Sequence, residues 1–461
     1  MRRTERWAGI GVASAAFLVL SIRAPQATGV TAFVGVNVIP MDRERVIENQ
    51  TVVVRDGRIA ALGPASSTAV PAGAVRVEAR GKYLMPGLAE MHGHVPSAQQ
   101  PAEFTERVLF LYVANGVTTV RSMLGDPSHF RLRERVEAAE LIGPRLWLSG
   151  PSANNNTAPT VARAESLVTA TKTAGYDFIK IHPGVPRDAF DALDAAADRL
   201  GIRYAGHVPV AVGVPRALEA GYWSIDHLDG YLNTLVRDDA PVDRNGAGGF
   251  FGIEFVSHVD PAKIASIARA TREAGVWNVP TQTLMEQLAT DLDPDVQAQR
   301  PELKYMPRRT VDSWVNQKRN FLAQNSADAR HRFIEVRRQL VKALHDAGAG
   351  LLLGSDAPQW WNVPGFSALR ELELIVAAGL TPYQALETGT RNVATYFGIT
   401  NQQGTVEVGK RADLVLLDAN PLADIANVWL QAGVMIRGRW IPRAEIEKRL
   451  AAIAAAYSAP N

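Results

Sequence analysis

The sequence predicts an α/β protein, a (β/α)₈ TIM barrel with a small composite β-sandwich built from both chain ends. Three observations carry this. Eight short apolar runs recur at 84–92, 116–123, 145–150, 177–182, 203–208, 223–228, 276–281 and 350–356, with helical stretches between them. Strands alternating with helices mark parallel βαβ units, and eight such units make a barrel. "VGVNVIPMDRERVIENQTVVVRDGRIAALGP" (34–64) and, far away, "GTVEVGKRADLVLLDANP" (404–421) with "VMIRGRW" (434–440) share a hairpin texture, with Asp56-Gly57 as a turn. A chain of 461 residues, 47% hydrophobic and 21% charged, is long and apolar enough for a large core.

In chain order, residues 1–27 read as an export signal. Arg2, Arg3 and Arg6 precede the uncharged run "WAGIGVASAAFLVLSI" (7–22), and Ala24 and Ala27 offer cleavage points. The run is shorter than the ~20 residues that a membrane span needs. The processed chain is therefore expected in the periplasm or outside the cell, with no stable membrane span. Residues 28–83 are expected to supply the first part of the sandwich, 84–400 the barrel, and 401–461 the second part and a C-terminal helix. The connections from about 229 to 275, with "RNGAGGFFG", and from 282 to 349, with Phe333, Val336, Leu340 and Leu344 on one helix face, are long. Both fall on the side of a barrel where active sites lie, which suits lids. A formal charge of +2 argues against a nucleic-acid surface, and the absence of cysteine removes disulfides and thiolate ligands.

"PGLAEMHGH" (86–94) places Glu90, His92 and His94 at alternate positions of the first barrel strand. Period two turns all three toward one face, the barrel interior. "YAGHVP" ends the fifth strand with His207, "SIDHLDG" the sixth with His227, and "LLLGSDAP" the eighth with Asp356. Four of nine histidines and one aspartate thus gather at C-terminal strand ends, where the catalytic groups of a barrel collect. "GYDFIKIHPG" (175–184) reads as a strand covered on both faces, with Lys180 inside it and His182 one step further out. A lysine is almost never fully buried unless paired, so a carboxylate partner such as Glu90 or Asp226 is one explanation of Lys180.

These segments, together with "NGVTTVRSM", "PGFSALRELELIVAAGLTPYQALETGTRNVA" and "GTVEVGKRADLVLLD", resemble the amidohydrolase superfamily, in the branch of imidazolonepropionase-like enzymes and metal-dependent prolidases. The resemblance covers essentially everything after the leader. It implies that His92 and His94 hold one metal with Asp356, that His207 and His227 hold a second, and that a carboxylated Lys180 bridges the two. Burial favours the neutral amine, and a neutral amine adds CO₂ to become an anion able to join two cations. Nitrogen and oxygen ligands suit two divalent ions, zinc foremost, that share a hydroxide. The implied activity is cleavage of amide-type C–N bonds in a dipeptide, an N-acyl amino acid or a cyclic amide, with Asp356 as the proton carrier. A lactone, ester or phosphotriester hydrolase on the same centre is one alternative, and a non-catalytic exported binding protein another. The partner is a small molecule, and a homo-oligomer is open.

The chain departs from its relatives in two places. "SGPSANNNTAP" (149–159) stands where prolidase-like members carry a Gly-His-Gly motif, and Arg121-Ser122 where Arg-Asp is usual. Substrate contacts are therefore sought among this chain's own residues. Asn154, beside Asn155 and Asn156, is an amide partner or part of a plain turn. Tyr231 is a donor to a substrate carbonyl or a packing aromatic. His182 faces substrate, stands behind the metal ligands or faces solvent, and Trp360-Trp361 wall the pocket or cap the rim.

The leader gives a first measurable expectation. N-terminal sequencing of the protein from its native host should begin between about residues 24 and 30, as a cleaved signal requires. An intact Met1 on cytoplasmic protein would exclude the signal.

Overall fold

"VTAFVGVNV" (Val30–Val38, β1) is rich in β-branched residues, and it buries Phe33, Val36 and Val38. In the computed structural model, which describes residues 29–458, β1 lies in the middle of an eight-stranded sheet. Ile47–Arg55 (β2) pairs antiparallel with it, and Arg58–Pro64 (β3) pairs antiparallel with β2 across the Asp56-Gly57 turn. Both turn residues have positive φ, as a tight hairpin turn demands. Val75–Glu78 (β4) and Tyr83–Pro86 (β5) pair with β1 in parallel. The expected export segment lies outside the described residues.

The next seven apolar runs form two parallel sheets. Leu88–Gly93 (β6), Val117–Ser122 (β7) and Arg145–Leu148 (β8) make the first. Phe178–Ile181 (β9), Arg203–Gly206 (β10), Ser224–Asp226 (β11) and Trp277–Val279 (β12) make the second. Single bridges, Ser149 to Phe178 and Ala153 to Ile181, join the two along one edge. The eighth run forms no regular strand, yet it lies between β12 and β6. Leu352 N donates to Asn278 O at 2.9 Å, Met91 N to Leu353 O at 2.8 Å, and Asp356 N to His92 O at 2.7 Å. Its ladder breaks because Ser355 N donates to the Glu90 carboxylate at 2.7 Å and not to a strand neighbour.

The far end of the chain returns to the first sheet. Leu414–Leu417 (β13) pairs with β5, and Gln431–Ile436 (β14) and Arg439–Pro442 (β15) follow, for an order β15-β14-β13-β5-β1-β2-β3. Where the sequence suggests a sandwich, the two chain ends meet in one hydrogen-bonded sheet. That sheet folds over. Trp440 on β15 sits edge-on to Phe33 on β1 at 5.1 Å, although four strand spacings of ~4.8 Å would part them on a flat surface. The fold encloses a core of its own that includes Val52, Leu84, Leu414 and Met435. The expected C-terminal helix spans Arg443–Ser458 and buries Ile446, Leu450 and Ile453. No described helix is long and apolar enough to cross a membrane.

Both long connections carry structure. The first contains a short helix, Tyr231–Leu235, tight helical turns over Phe250–His258, and the helix Ala262–Glu273. The second holds helices Gln282–Ala289, Arg308–Gln324 and Ala327–Asp346. The last of these buries Phe333, Val336, Leu340 and Leu344, the face that the spacing predicts.

Arg121, next to the C-terminal residue of β7, is fully buried, and all three of its guanidinium nitrogens are engaged. Nε donates to Met91 O at 2.6 Å, Nη1 to Ser224 Oγ at 2.9 Å and Tyr396 OH at 2.6 Å, and Nη2 to both oxygens of Asp226 at 3.1 and 3.0 Å. One side chain thereby ties β6, β7, β11 and the helix ending at Tyr396. A buried ion pair that loses one partner costs about 3–5 kcal/mol. Arg121→Ala should lower unfolding stability by about that much in a urea titration. A loss of under about 1 kcal/mol would show that the strands do not rely on this tie.

Candidate metal centre

Alternation predicts Glu90, His92 and His94 on one side of β6, but only the two histidines reach the site: β6 shifts its register with β7 between Glu90 and Gly93, and the Glu90 side chain lies beside Gly93, where an added Cβ would stand 2.9 Å from Glu90 Cγ. Glu90 is completely buried and accepts from Ser355 N, Ser355 Oγ and His92 N. Burial pushes its carboxyl up to about 8, against the pull of the Ser355 hydrogen bonds. It braces the turn that carries Asp356 and does not line the cavity. Asp356 itself adopts a left-handed backbone with φ 66°, a conformation that aspartate tolerates better than most residues. Its Oδ1 lies 2.6 Å from His94 Nε2 and 3.6 Å from His92 Nε2, and its Oδ2 lies 3.9 Å from His227 Nδ1.

Three imidazoles are fixed through their Nδ1 atoms. His92 Nδ1 meets Asp226 Oδ2 at 2.7 Å, His207 Nδ1 meets Asp229 Oδ2 at 2.9 Å, and His227 Nδ1 meets Thr281 Oγ1 at 2.9 Å. An oxygen partner on one ring nitrogen fixes tautomer and orientation and leaves the other nitrogen for a metal. The rings form a chain. His92 and His227 are 4.3 Å apart, His227 and His207 4.6 Å, and His207 and His182 5.3 Å. Burial holds His92 and His227 well below the usual imidazole range, with Lys180 and His94 adding to this for His92, and His92 and His207 for His227. Rings held neutral keep the lone pairs that a cation needs.

Lys180 sits at the bottom of this group, fully buried. Its Nζ is 3.3 Å from His92 Nε2, and among the described residues no carboxylate comes within ion-pair distance of it. Glu90 and Asp226, the partners that the sequence offers, are occupied elsewhere. Burial lowers its ammonium to about 8, opposed by Asp226 and Asp356. The aliphatic stem passes over Gly206, where an added Cβ would lie 2.8 Å from Lys180 Cδ and 2.4 Å from Ile181 O. Only glycine fits that place, which explains "AGH" ending at His207.

His92, His227 and Asp356 each present a donor atom within 4.8 Å of the others. With His94 and His207 beside them, neutral nitrogens and a carboxylate converge without sulfur, a donor set that fits zinc or a similar divalent ion. The group opens into a cavity of about 840 Å³, whose wall also contains Arg309 and Thr310 from the second long connection. His182 lines it too. Burial, then Lys180 and His207, push His182 down to about 2, and its buried Nδ1 has no partner.

Other expected contacts lie elsewhere. Tyr231 does not reach the cavity. Its helix turns the ring outward from the site, and the buried hydroxyl meets Thr271 Oγ1 at 3.0 Å and Asn278 Oδ1 at 2.9 Å, so it is a packing residue. Asn154 caps its own loop, with Oδ1 accepting from Asn156 N and Thr157 N and Nδ2 donating to Ser152 Oγ, so the plain-turn alternative holds. Trp360 packs on Phe250 at 5.3 Å and Trp361 is buried near Trp314 at 6.2 Å, both as rim packing. Residues that sequence reasoning passed over complete the site. Asp229 and Thr281 orient the rings of His207 and His227, and Phe251 of "GGFFG" lies 5.3 Å from His227 and 5.9 Å from His207. Asp229 stands two residues after a ligand histidine, a visible signal. Phe251 gives none, because only the folded loop brings it over the rings.

With this geometry in place, the relationship to known proteins is direct. The model of the amidohydrolase family matches residues 83–441, and the chain belongs to that family. Similar proteins include imidazolonepropionase from Sphingopyxis alaskensis, 25% identical over 82% of this chain and 89% of its own length. Adenine deaminase from a Ruegeria species is 24% identical over 80% of this chain, which spans only 51% of that protein. A structure assigned as a prolidase from Bifidobacterium longum superposes with a TM-score of 0.66 and 26% identity, covering 93% of this chain and 99% of its own.

The orienting carboxylates give a test that is independent of activity. Asp229→Ala frees the His207 ring, and loss of such a partner typically weakens metal affinity by about 10–100-fold. Competition with a chromogenic chelator should show that drop. Unchanged affinity would place His207 outside the metal set.

Proposed function

We propose that this chain is an exported metal-dependent hydrolase that cleaves amide-type C–N bonds in small molecules bearing a free carboxylate, such as a dipeptide or an N-acyl amino acid. The observation that carries the reading is Lys180. A lysine buried without any carboxylate partner among the described residues, pointing at His92 and one strand from the strand that leads to His207, is costly as an ammonium and well placed as a carboxylated anion. The bridges between the parallel sheets, and the hydrogen bonds of 350–356 to both β12 and β6, support taking the eight runs as one (β/α)₈ barrel. The similarity to an imidazolonepropionase and to a protein assigned as a prolidase supports C–N cleavage.

In this reading His92, His94 and Asp356 hold one divalent ion, zinc foremost, His207 and His227 hold another, and carboxylated Lys180 stands between them. When bound, such ions supply Lewis acidity to the scissile carbonyl and acidify water. The chain's own groups do the rest. Asp356 takes a proton from the attacking water as the C–O bond forms and delivers it to the nitrogen as the C–N bond breaks. Asp226, Asp229 and Thr281 hold the rings still. Phe251 covers His207 and His227 and keeps bulk water from them. Among the described residues Arg309 is the one arginine or lysine in the cavity wall, and it enters no ion pair, so a substrate carboxylate suits it.

A panel of dipeptides and N-acyl amino acids, their C-terminal amides, and p-nitrophenyl esters tests this. Free acids should be turned over best. Arg309→Ala should raise KM for them by roughly tenfold, the worth of a charge-assisted hydrogen bond, and leave the amides unaffected. Asp356→Asn should keep the fold and at least one metal but reduce kcat by roughly 10²-fold or more. Ester turnover with no amide turnover would replace the amide assignment.

Metal counting tests the bridge. Lys180→Ala should lose one metal per chain, with partial return on added bicarbonate or short carboxylates. Lys180→Arg should not recover it, because a guanidinium stays protonated and cannot become an anion. A full metal complement in Lys180→Arg would exclude the bridge.

A further inference from the structure

A second cavity lies at the other end of the barrel. Arg145 opens β8 at its N-terminal end, whereas the metal-site residues follow the C-terminal strand ends. The space measures about 410 Å³, within the ~300–1,000 Å³ of small-molecule pockets. It forms a seam between the barrel and the folded-over sheet. Arg145, Leu141 and Ile142 come from the barrel side, Arg58 from the β2–β3 turn, Arg411 from the approach to β13, and Arg437 and Arg439 from the β14–β15 turn. The two turns are pressed together, and a Cβ on Gly438 would lie 2.7 Å from Gly57 Cα. That packing brings arginines from remote parts of the chain to one wall.

The charges do not balance. Five guanidiniums share the wall with only two carboxylates, Asp56 and Glu137. Arg411 is paired with Asp413 at 3.0 Å and Arg439 with Glu445 at 3.3 Å. Among the described residues, Arg58, Arg145 and Arg437 enter no ion pair. Arg145 Nη1 and Arg437 Nε are buried and have no acceptor, although Arg437 Nη1 donates to Gly143 O at 3.1 Å. Burial holds both guanidiniums below the usual arginine range, Arg411 adds repulsion, and Asp413 and Glu137 offset this only in part in each case. A seam serving stability alone gains nothing from like charges with unpaired donors. An oxyanion accepting from two guanidinium forks offsets both costs, and Leu141, Ile142 and Ile436 beside them give an apolar body a place to lie.

We propose that this cavity binds a small organic oxyanion, a carboxylate or phosphate group on an apolar body, held between Arg145 and Arg437. The bound molecule would join barrel to sheet, far from the metal ligands. The test is isothermal titration of the full-length protein with 3-phenylpropionate and with phenyl phosphate, and with inorganic phosphate to report the head group alone. One of the two aryl probes should saturate at one per chain, about tenfold or more tighter than inorganic phosphate, and which one does so identifies the head group. The double variant Arg145→Gln/Arg437→Gln should bind that probe at least about tenfold more weakly and retain amide hydrolysis. Glu137→Gln, which removes a like charge from the ligand's wall, should tighten binding by about threefold or more, a gain that lost packing would not produce. Failure of both aryl probes to saturate, or unchanged affinity in the double variant, overturns the proposal. Should the double variant not fold, Glu137→Gln decides: tighter binding supports the site, and unchanged affinity refutes it.

Discussion

Asp226 has two oxygens and more claimants than it can serve, and much of the molecule follows from how it is shared. Oδ1 accepts from Ser224 Oγ at 2.7 Å and from Arg121, and Oδ2 accepts from Arg121 and pairs with His92 Nδ1 at 2.7 Å. The first commitment ties the strands together inside an apolar core. The second sets which nitrogen of His92 faces the cavity. Lys180, left without a carboxylate in ion-pair range, has His92 Nε2 as its one hydrogen-bond partner among the described residues, so its surroundings are a by-product of a structural ion pair two strands away. Scaffold and reactive centre are joined through one side chain.

The opposite wall is built on a broken strand. A regular eighth strand would turn Asp356 by the period of its neighbours. Instead Glu90 takes the amide and hydroxyl of Ser355, and the chain swings into a left-handed residue at Asp356. The carboxylate then reaches His94 and His92 together. Irregular backbone at functional sites is a common place of stored strain, and here a buried carboxylate from β6 holds it in place.

Period-two spacing made His92 and His94 legible, and position at the end of an apolar run did the same for His207, His227 and Asp356, because strand geometry converts spacing directly into facing. The alternation failed for Glu90. The strand shifts its register between Glu90 and Gly93, and that irregularity turns Glu90 away from the histidines, beside Gly93. Tyr231 and Asn154 failed for a different reason. Both follow strand ends, where one turn residue such as Gly230 decides whether a side chain points in or out. The meeting of both chain ends was visible in their shared texture, but the folding-over of the single sheet was not, since it depends on Trp440 finding Phe33. The arginine-lined seam was invisible for the same reason. Its residues run from Arg58 to Arg439 and show no local pattern.

The pairing of β5 with β13 has a consequence for how the chain is made. Pro86 lies opposite Leu414, so more than three hundred residues, both parallel sheets among them, must leave the ribosome before the partner of β5 exists. Until then one side of β5 is an open edge with free amides and carbonyls, and Leu84 and Met85 are uncovered. Such an edge recruits other chains. The first sheet is therefore a late-closing clasp, and the time between synthesis of the two chain ends is when this protein is most exposed to aggregation.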